Sequence, residues 1–126
     1  MRPSTRPVFL DLSKIRFPIG AVASILHRVA GVLLALTLPL LVFALERSVA
    51  SEASYESLLD LAGGPLALIA SSVLCWALAH HLLAGVRHLL MDVGVGASLA
   101  VARRTAAAAL AGGVVLALLL VAWGLW

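Results

Sequence analysis

The sequence predicts an all-α membrane protein with three transmembrane helices. Hydrophobic residues make up 63% of the 126 positions and charged residues only 12%, about half the charge of an average soluble domain. The mean hydropathy is +1.11. Crossing a bilayer takes about 20 mostly apolar residues, and residues 19–45, 66–90 and 105–126 each meet that length. Because lipid cannot satisfy free backbone groups and three segments cannot close a barrel, each segment is expected to be a helix.

The positions of lysine and arginine predict how the single transmembrane domain, residues 1–126, is oriented. Four basic residues lie in the head, residues 1–18, and Arg103 and Arg104 lie in the second connector. The first connector, residues 46–62, has Arg47 against four acidic residues. The positive-inside rule therefore predicts a cytoplasmic N-terminus and a periplasmic C-terminus. The net charge of +3 is explained by this topology and gives no basis for a nucleic-acid surface.

Turn residues and small residues mark the ends and contacts of the spans. Gly63, Gly64 and Pro65 precede the second span, where proline suits a first helical turn. Gly94 and Gly96 follow it and predict an end near Asp92. The short first connector makes the first two spans antiparallel neighbours. The third span carries small residues that allow close helix contact, namely Ala106 to Ala109, Gly112 and Gly113.

Polar residues on one face of the first span suggest a binding function. Ser24, His27, Arg28 and Gly31 are spaced i, i+3, i+4 and i+7 within the sequence SILHRVAG, which places them on one helical face. Placing an ionisable residue within a membrane-spanning helix raises the free energy of insertion by at least about 2.5 kcal/mol. Such a residue is therefore interpreted as functional by default.

The second span ends with the sequence AHHLLAGVRHLLMD. At about 100° per residue, His81, Gly85 and His88 fall on one face, which ends at Asp92. His80 and Arg87 fall on a second line, roughly 100° round the helix. In the predicted topology the polar residues of both spans lie in the cytoplasmic half of the bilayer, where they could meet around one ligand.

The chemistry of that ligand can be inferred from these residue types. A neutral imidazole is a good axial ligand for haem iron, and Gly85, one turn after His81, would leave room for a flat macrocycle. The haem propionates need cations or donors, for which His27, Arg28 and His88 are placed near the cytoplasmic edge. Neither His80 nor His88 can oppose His81 across one iron, and His27 is needed at the rim. This favours a second axial ligand from another chain.

Simpler roles account for several of these residues taken singly. His81 alone could equally be a buried, hydrogen-bonded histidine, and His80 and His88 could be interfacial or hydrogen-bonded groups. Arg87 fits a snorkelling, positive-inside arginine, and Ser24 could bond back to its own helix. Spacing alone does not identify haem.

At these residues the sequence resembles the cytochrome b membrane-anchor subunit of bacterial succinate dehydrogenase, respiratory complex II. The similarity rests on LDLSKIRFP, ASILHRVAGV and HHLLAGVRHLLMD, which contain SxxHRxxG followed by HxxxGxRHLxxD. It covers the head, the first span and the end of the second. The third span and first connector match only in length and character.

The resemblance implies that His81 is the axial ligand of a b-type haem and that a second small anchor subunit supplies the opposite ligand. It implies that His27, Arg28 and His88 contact the propionates and that Ser24 and Arg28 form part of the ubiquinone site. The chain would have no catalytic residue of its own. A flavoprotein subunit and an iron–sulfur subunit would oxidise succinate and deliver the electrons, in the inner membrane of a bacterium.

Other functions are compatible with parts of this pattern. A purely structural anchor would have the helices without haem, and its histidines would only bond between helices. A quinol:fumarate reductase anchor would run the same chemistry in reverse. A small transporter needs ionisable groups reaching both sides of the membrane, which the apolar outer halves of the spans oppose.

Overall fold

The computed structural model describes residues 14–124. The first thirteen residues of the predicted head and the last two of the third predicted span lie outside this range. Within it the regular structure is helical and no strand is present. The helices are α1 (Ile19–Ala50), α2 (Glu52–Ala62), α3 (Pro65–Asp92) and α4 (Leu99–Gly124). Helices α1, α3 and α4 are long and apolar enough to cross a membrane, so the chain is a multi-pass membrane protein, as predicted.

The first connector differs from the sequence prediction. Helix α1 continues to Ala50, beyond the predicted end at residue 45, and α2 follows after Ser51. The Ser51 side chain accepts a hydrogen bond from the Ser54 backbone N–H at 3.1 Å, and Glu52 lies in the first turn of α2. A serine cap and an acidic first turn both stabilise a helix N-terminus. A search for long apolar runs does not detect such a short, polar helix.

The second connector is shorter than predicted. Helix α4 begins at Leu99, six residues before the predicted start, because Arg103 and Arg104 interrupt the apolar run without interrupting the helix. The chain reverses between α3 and α4 at Gly94 and Gly96, whose φ angles are +84° and +75°. Only glycine adopts this left-handed region readily.

Helix α3 is antiparallel to both α1 and α4. Along α1, Gly20 lies near Arg87 and Gly31 lies near His81. Along α4, Thr105 contacts Arg87 and Gly113 contacts His80. The predicted antiparallel arrangement of the first two spans is thus confirmed. Helices α1 and α4 both begin at the end of the bundle where α3 finishes.

The helices approach one another through small residues. Among residues 14–123 the buried apolar residues are all alanines: Ala23, Ala30, Ala77, Ala79, Ala84, Ala106, Ala109 and Ala117. Large aliphatic side chains such as Leu36, Leu82 and Leu118 instead point outwards. Lipid is as apolar as leucine, so close backbone packing, rather than burial of large side chains, is the expected means of helix association in a membrane.

We expect Gly113→Val to destabilise the bundle. A Cβ atom at Gly113 would lie 3.0 Å from the His80 Cβ and 3.1 Å from its Cα, and a backbone atom cannot move aside without moving α3. Overpacking of this kind costs about 1–3 kcal/mol, which thermal unfolding in detergent micelles would detect. Ala111→Val is the matched control, because Ala111 is exposed on the same helix. Equal midpoints for the two variants would contradict the packing described here.

Candidate functional site

Three histidines meet where α1 packs against α3. The rings of His27 and His81 are stacked, with centroids 4.2 Å apart and planes 12° from parallel. The His88 ring, also on α3, lies near the His27 ring. Their centroids are 5.3 Å apart and their planes are tilted by 55°. The structure thus brings together the histidines from two separate sequence motifs. We refer to His27, His81 and His88 as the histidine cluster.

The hydrogen bond of His81 determines which ring nitrogen is free. His81 Nδ1 lies 3.1 Å from the backbone oxygen of His27. A carbonyl oxygen only accepts, so Nδ1 carries the proton and donates it, and a neutral ring then has its lone pair on Nε2. Metal-ligating histidines commonly donate their second N–H to a backbone carbonyl in this way, which fixes the ring. The arrangement suits His81 to bind a metal centre through Nε2.

The adjacent His80 has a different environment. Its side chain is 0% exposed, and its Nε2 donates to the backbone oxygen of Ala23 on α1 at 3.3 Å. Its ring is parallel to Trp76 at a centroid distance of 5.6 Å, and Nδ1 has no partner within residues 14–124. A flat macrocycle has no access to so enclosed a ring. His80 is a hydrogen-bonded histidine inside the bundle, one of the roles that the sequence left open.

Two glycines make room for the histidine cluster. A Cβ atom at Gly31 would lie 3.0 Å from His81 Cε1, and one at Gly85 would lie 3.3 Å from His27 Nε2. The space at Gly85, which the sequence pattern suggests for a macrocycle, is occupied in the structure by the His27 ring. Each glycine therefore accommodates an imidazole from the opposite helix.

His27 cannot be the second axial ligand of an iron bound to His81 in this arrangement. The lone pair of an imidazole nitrogen lies in the ring plane, so two axial imidazoles have planes that share the line through the iron. The planes of His27 and His81 are instead stacked face to face. Within residues 14–124, moreover, no group of three or more His, Cys, Asp or Glu could hold a bare metal ion.

Two polar residues of α1 beside the cluster, Ser24 and Arg28, have no partners in the described part of the chain. Ser24 Oγ makes no hydrogen bond with any residue of 14–124, and the exposed Arg28 makes neither a hydrogen bond nor an ion pair there. Other hydroxyls in the helices do bond back to their own backbone, for example Thr37 to Leu33 and Ser72 to Leu68. The donors of Ser24 and Arg28 are therefore available to a ligand.

Arg87 does not snorkel, contrary to the sequence interpretation. Its side chain is 8% exposed and crosses to α4, where Nε donates to Thr105 Oγ1 and Nη2 donates to the Ala102 backbone oxygen, both at 3.1 Å. Helical phase predicts that Arg87 lies on a different face of α3 from His81, as the structure shows, but it does not predict the hydrogen-bond partners of Arg87. They lie on α4, and no local pattern links them to α3.

Comparison with known proteins points to one family. Residues 2–120 match the family model described as succinate dehydrogenase/fumarate reductase transmembrane subunit. The chain is 45% identical over 91 residues to the succinate dehydrogenase cytochrome b556 subunit of Coxiella burnetii, which covers 71% of this chain and 72% of that protein. It is 35% identical over 114 residues to the protein of the same name from Paracoccus denitrificans, covering 90% and 88% respectively.

Proposed function

Because this chain belongs to the succinate dehydrogenase/fumarate reductase transmembrane subunit family, we propose that it holds a b-type haem jointly with a second small anchor subunit and forms part of a ubiquinone-reduction site. Its relatives named above are succinate dehydrogenase subunits, which favours succinate oxidation over fumarate reduction. The name cytochrome b556 of both relatives supports a b-type haem.

The observation that carries the haem proposal is the state of His81. Its Nδ1–H is engaged with the His27 carbonyl, so the ring is oriented and Nε2 is left as the ligating atom. Its side chain is only partly buried, whereas its neighbour His80 is enclosed. When bound, haem would supply a one-electron carrier in the membrane.

The other residues of the site fit the polar edge of such a group. Haem propionates are anionic and need cations or hydrogen-bond donors in a low-dielectric medium. His27 and His88 lie in contact range of each other beside His81, and Arg28 has an unpaired guanidinium within the described chain. We assign these three residues to the propionates.

In this proposal a second anchor subunit would complete the iron site. A b-type haem held by two histidines would take one imidazole from His81 and a second from another residue. Stacking excludes His27 from that position, burial excludes His80, and His88 lies on the same helix as His81. The opposite ligand is therefore assigned to the companion chain.

The quinone-binding role is assigned to Ser24 and Arg28. A serine hydroxyl can donate a hydrogen bond to a quinone carbonyl, and a guanidinium stabilises the negative charge that develops on the oxygens during reduction. Both groups are free of partners within residues 14–124. Reduction of the quinone also takes up protons, which would enter from the side where α1 begins.

The remaining parts of the reaction belong to other subunits and to the membrane. A flavoprotein subunit would oxidise succinate, and an iron–sulfur subunit would pass the electrons to this site. The basic residues around the beginning of α1 and α4 support a cytoplasmic location for that end, by the positive-inside rule. We therefore place the chain in the inner membrane of a bacterium, with its C-terminus in the periplasm.

A reduced-minus-oxidised optical spectrum tests the proposal. The chain co-expressed with its companion subunits is expected to give the absorption bands of a b-type haem, and the same subunits without this chain are expected to lack them. A complex that assembles with this chain and shows no such bands would instead support a purely structural anchor, in which the histidines only bond between helices.

A further inference from the structure

A second candidate site lies on the α4 side of α3, away from the histidine cluster. It is an apolar groove of about 340 Å³ near the end of the bundle where α3 finishes. Most of its wall is aliphatic, including Leu83, Val86, Leu90, Val101 and Ala108. Arg87 and Thr105 are the polar exceptions in the part of the wall formed by the two helices.

Arg87, one of the residues that line the groove, carries a positive charge without a matching negative one. A guanidinium has five N–H donors, and the hydrogen bonds of Arg87 use Nε and Nη2 on two neutral oxygens. No carboxylate pairs with Arg87 within residues 14–124. Nη1 of Arg87 has no hydrogen-bond partner in that range. Among the described residues, the one side-chain nitrogen or oxygen that is both fully buried and unpartnered is His80 Nδ1. Nη1 of Arg87 is therefore accessible from the surface.

Exposed charged residues flank the groove, with Arg103 and Arg104 on α4 against Asp92 at the end of α3, which leaves a net positive charge around it. Arg103 and Arg104 are exposed on the first turns of α4 and form no ion pair with the described residues. Arg87 lies five residues before the last residue of α3, about 8 Å along the helix. A buried charge is stabilised by a counter-charge, and the headgroup layer of a membrane offers anionic phosphate close to helix ends.

We propose that this groove binds a phospholipid. Arg87 donates to the phosphodiester, and one acyl chain lies along the aliphatic wall between α3 and α4. The charge of the headgroup complements Arg87, and the bilayer around a multi-pass protein supplies the ligand. The proposal rests on the membrane location of the chain and does not depend on haem or quinone binding.

Native mass spectrometry of the purified complex, in mild detergent, tests the proposal through a substitution that fills the groove. Ala108 and Ala107 are adjacent and both exposed, but only Ala108 lines the groove. We expect the unmodified complex and Ala107→Phe to retain one phospholipid per copy of this chain. Ala108→Phe is expected to lower that occupancy at least tenfold while the subunits stay together.

A second pair of variants tests the role of the charge. Arg87→Gln is expected to lose the phospholipid, whereas Arg103→Gln removes the same charge outside the groove and is expected to retain it. If Arg87→Gln does not assemble, Ala108→Phe decides the question alone. Equal phospholipid occupancy in Ala108→Phe and Ala107→Phe would overturn the proposal. It would also be overturned if the unmodified complex held no phospholipid and Ala108→Phe released a companion subunit, because the groove would then be a protein interface.

Discussion

Replacing His81 by alanine is expected to abolish the b-type haem spectrum of the assembled complex. Alanine removes the Nε2 atom that the hydrogen bond to the His27 carbonyl leaves free for iron. Haem would then depend on a single ligand from another chain and on its propionate contacts. The measurement is the reduced-minus-oxidised spectrum per mole of complex, with subunit stoichiometry checked on the same sample.

His80→Gln is the matched control for this variant. It changes the adjacent histidine and keeps a hydrogen-bond donor for the Ala23 carbonyl that His80 contacts. We expect its haem content to stay close to that of the unmodified complex. A normal spectrum for His81→Ala, or a loss of haem confined to His80→Gln, would show that the ligand assignment is wrong.

Replacing Arg28 by leucine is expected to slow quinone reduction about 10²-fold, the usual consequence of removing a donor aimed at developing negative charge. Ser24→Ala should have a smaller effect, up to about tenfold, because a neutral hydrogen bond contributes about 0.5–1.5 kcal/mol. Neither variant should affect succinate oxidation when an artificial acceptor takes electrons before they reach the membrane. Paired assays of succinate:quinone and succinate:artificial-acceptor activity on the same membranes measure the difference.

Arg47→Leu provides a control for the loss of positive charge. Arg47 is an exposed arginine in the last turn of α1, far along the helix from Ser24 and Arg28, and we expect it to leave both activities unchanged. Normal quinone reduction in the assembled Arg28→Leu complex would contradict the quinone assignment, whereas equal loss of both activities would show a defect in assembly.

Much of the fold follows from patterns within single segments. Apolar length predicts the three spanning helices, and the glycines after Asp92 predict the turn whose positive φ angles the structure shows. The short helix α2 was missed because its sequence is polar and its stability depends on a local cap at Ser51. The early start of α4 was missed because arginines at a membrane edge end an apolar run but not a helix.

The candidate site was predictable to the level of helix faces. Helical phase correctly separates His81 and His88 from His80 and Arg87, because it depends only on residue spacing. Contacts between helices depend on their rotation and depth, which spacing does not determine. The stacking of His27 on His81, the placement of His27 over Gly85 and the link from Arg87 to Thr105 are of this kind.

The central claim is that this chain supplies one axial ligand of a haem shared with another chain. A density map of the purified complex around His81 tests it most directly. We predict a flat macrocycle whose iron is bound on one face by His81 Nε2 and on the other by an imidazole of a companion subunit. A macrocycle bound by His80, or by two residues of this chain, would contradict the claim, as would an assembled complex with no macrocycle at His81.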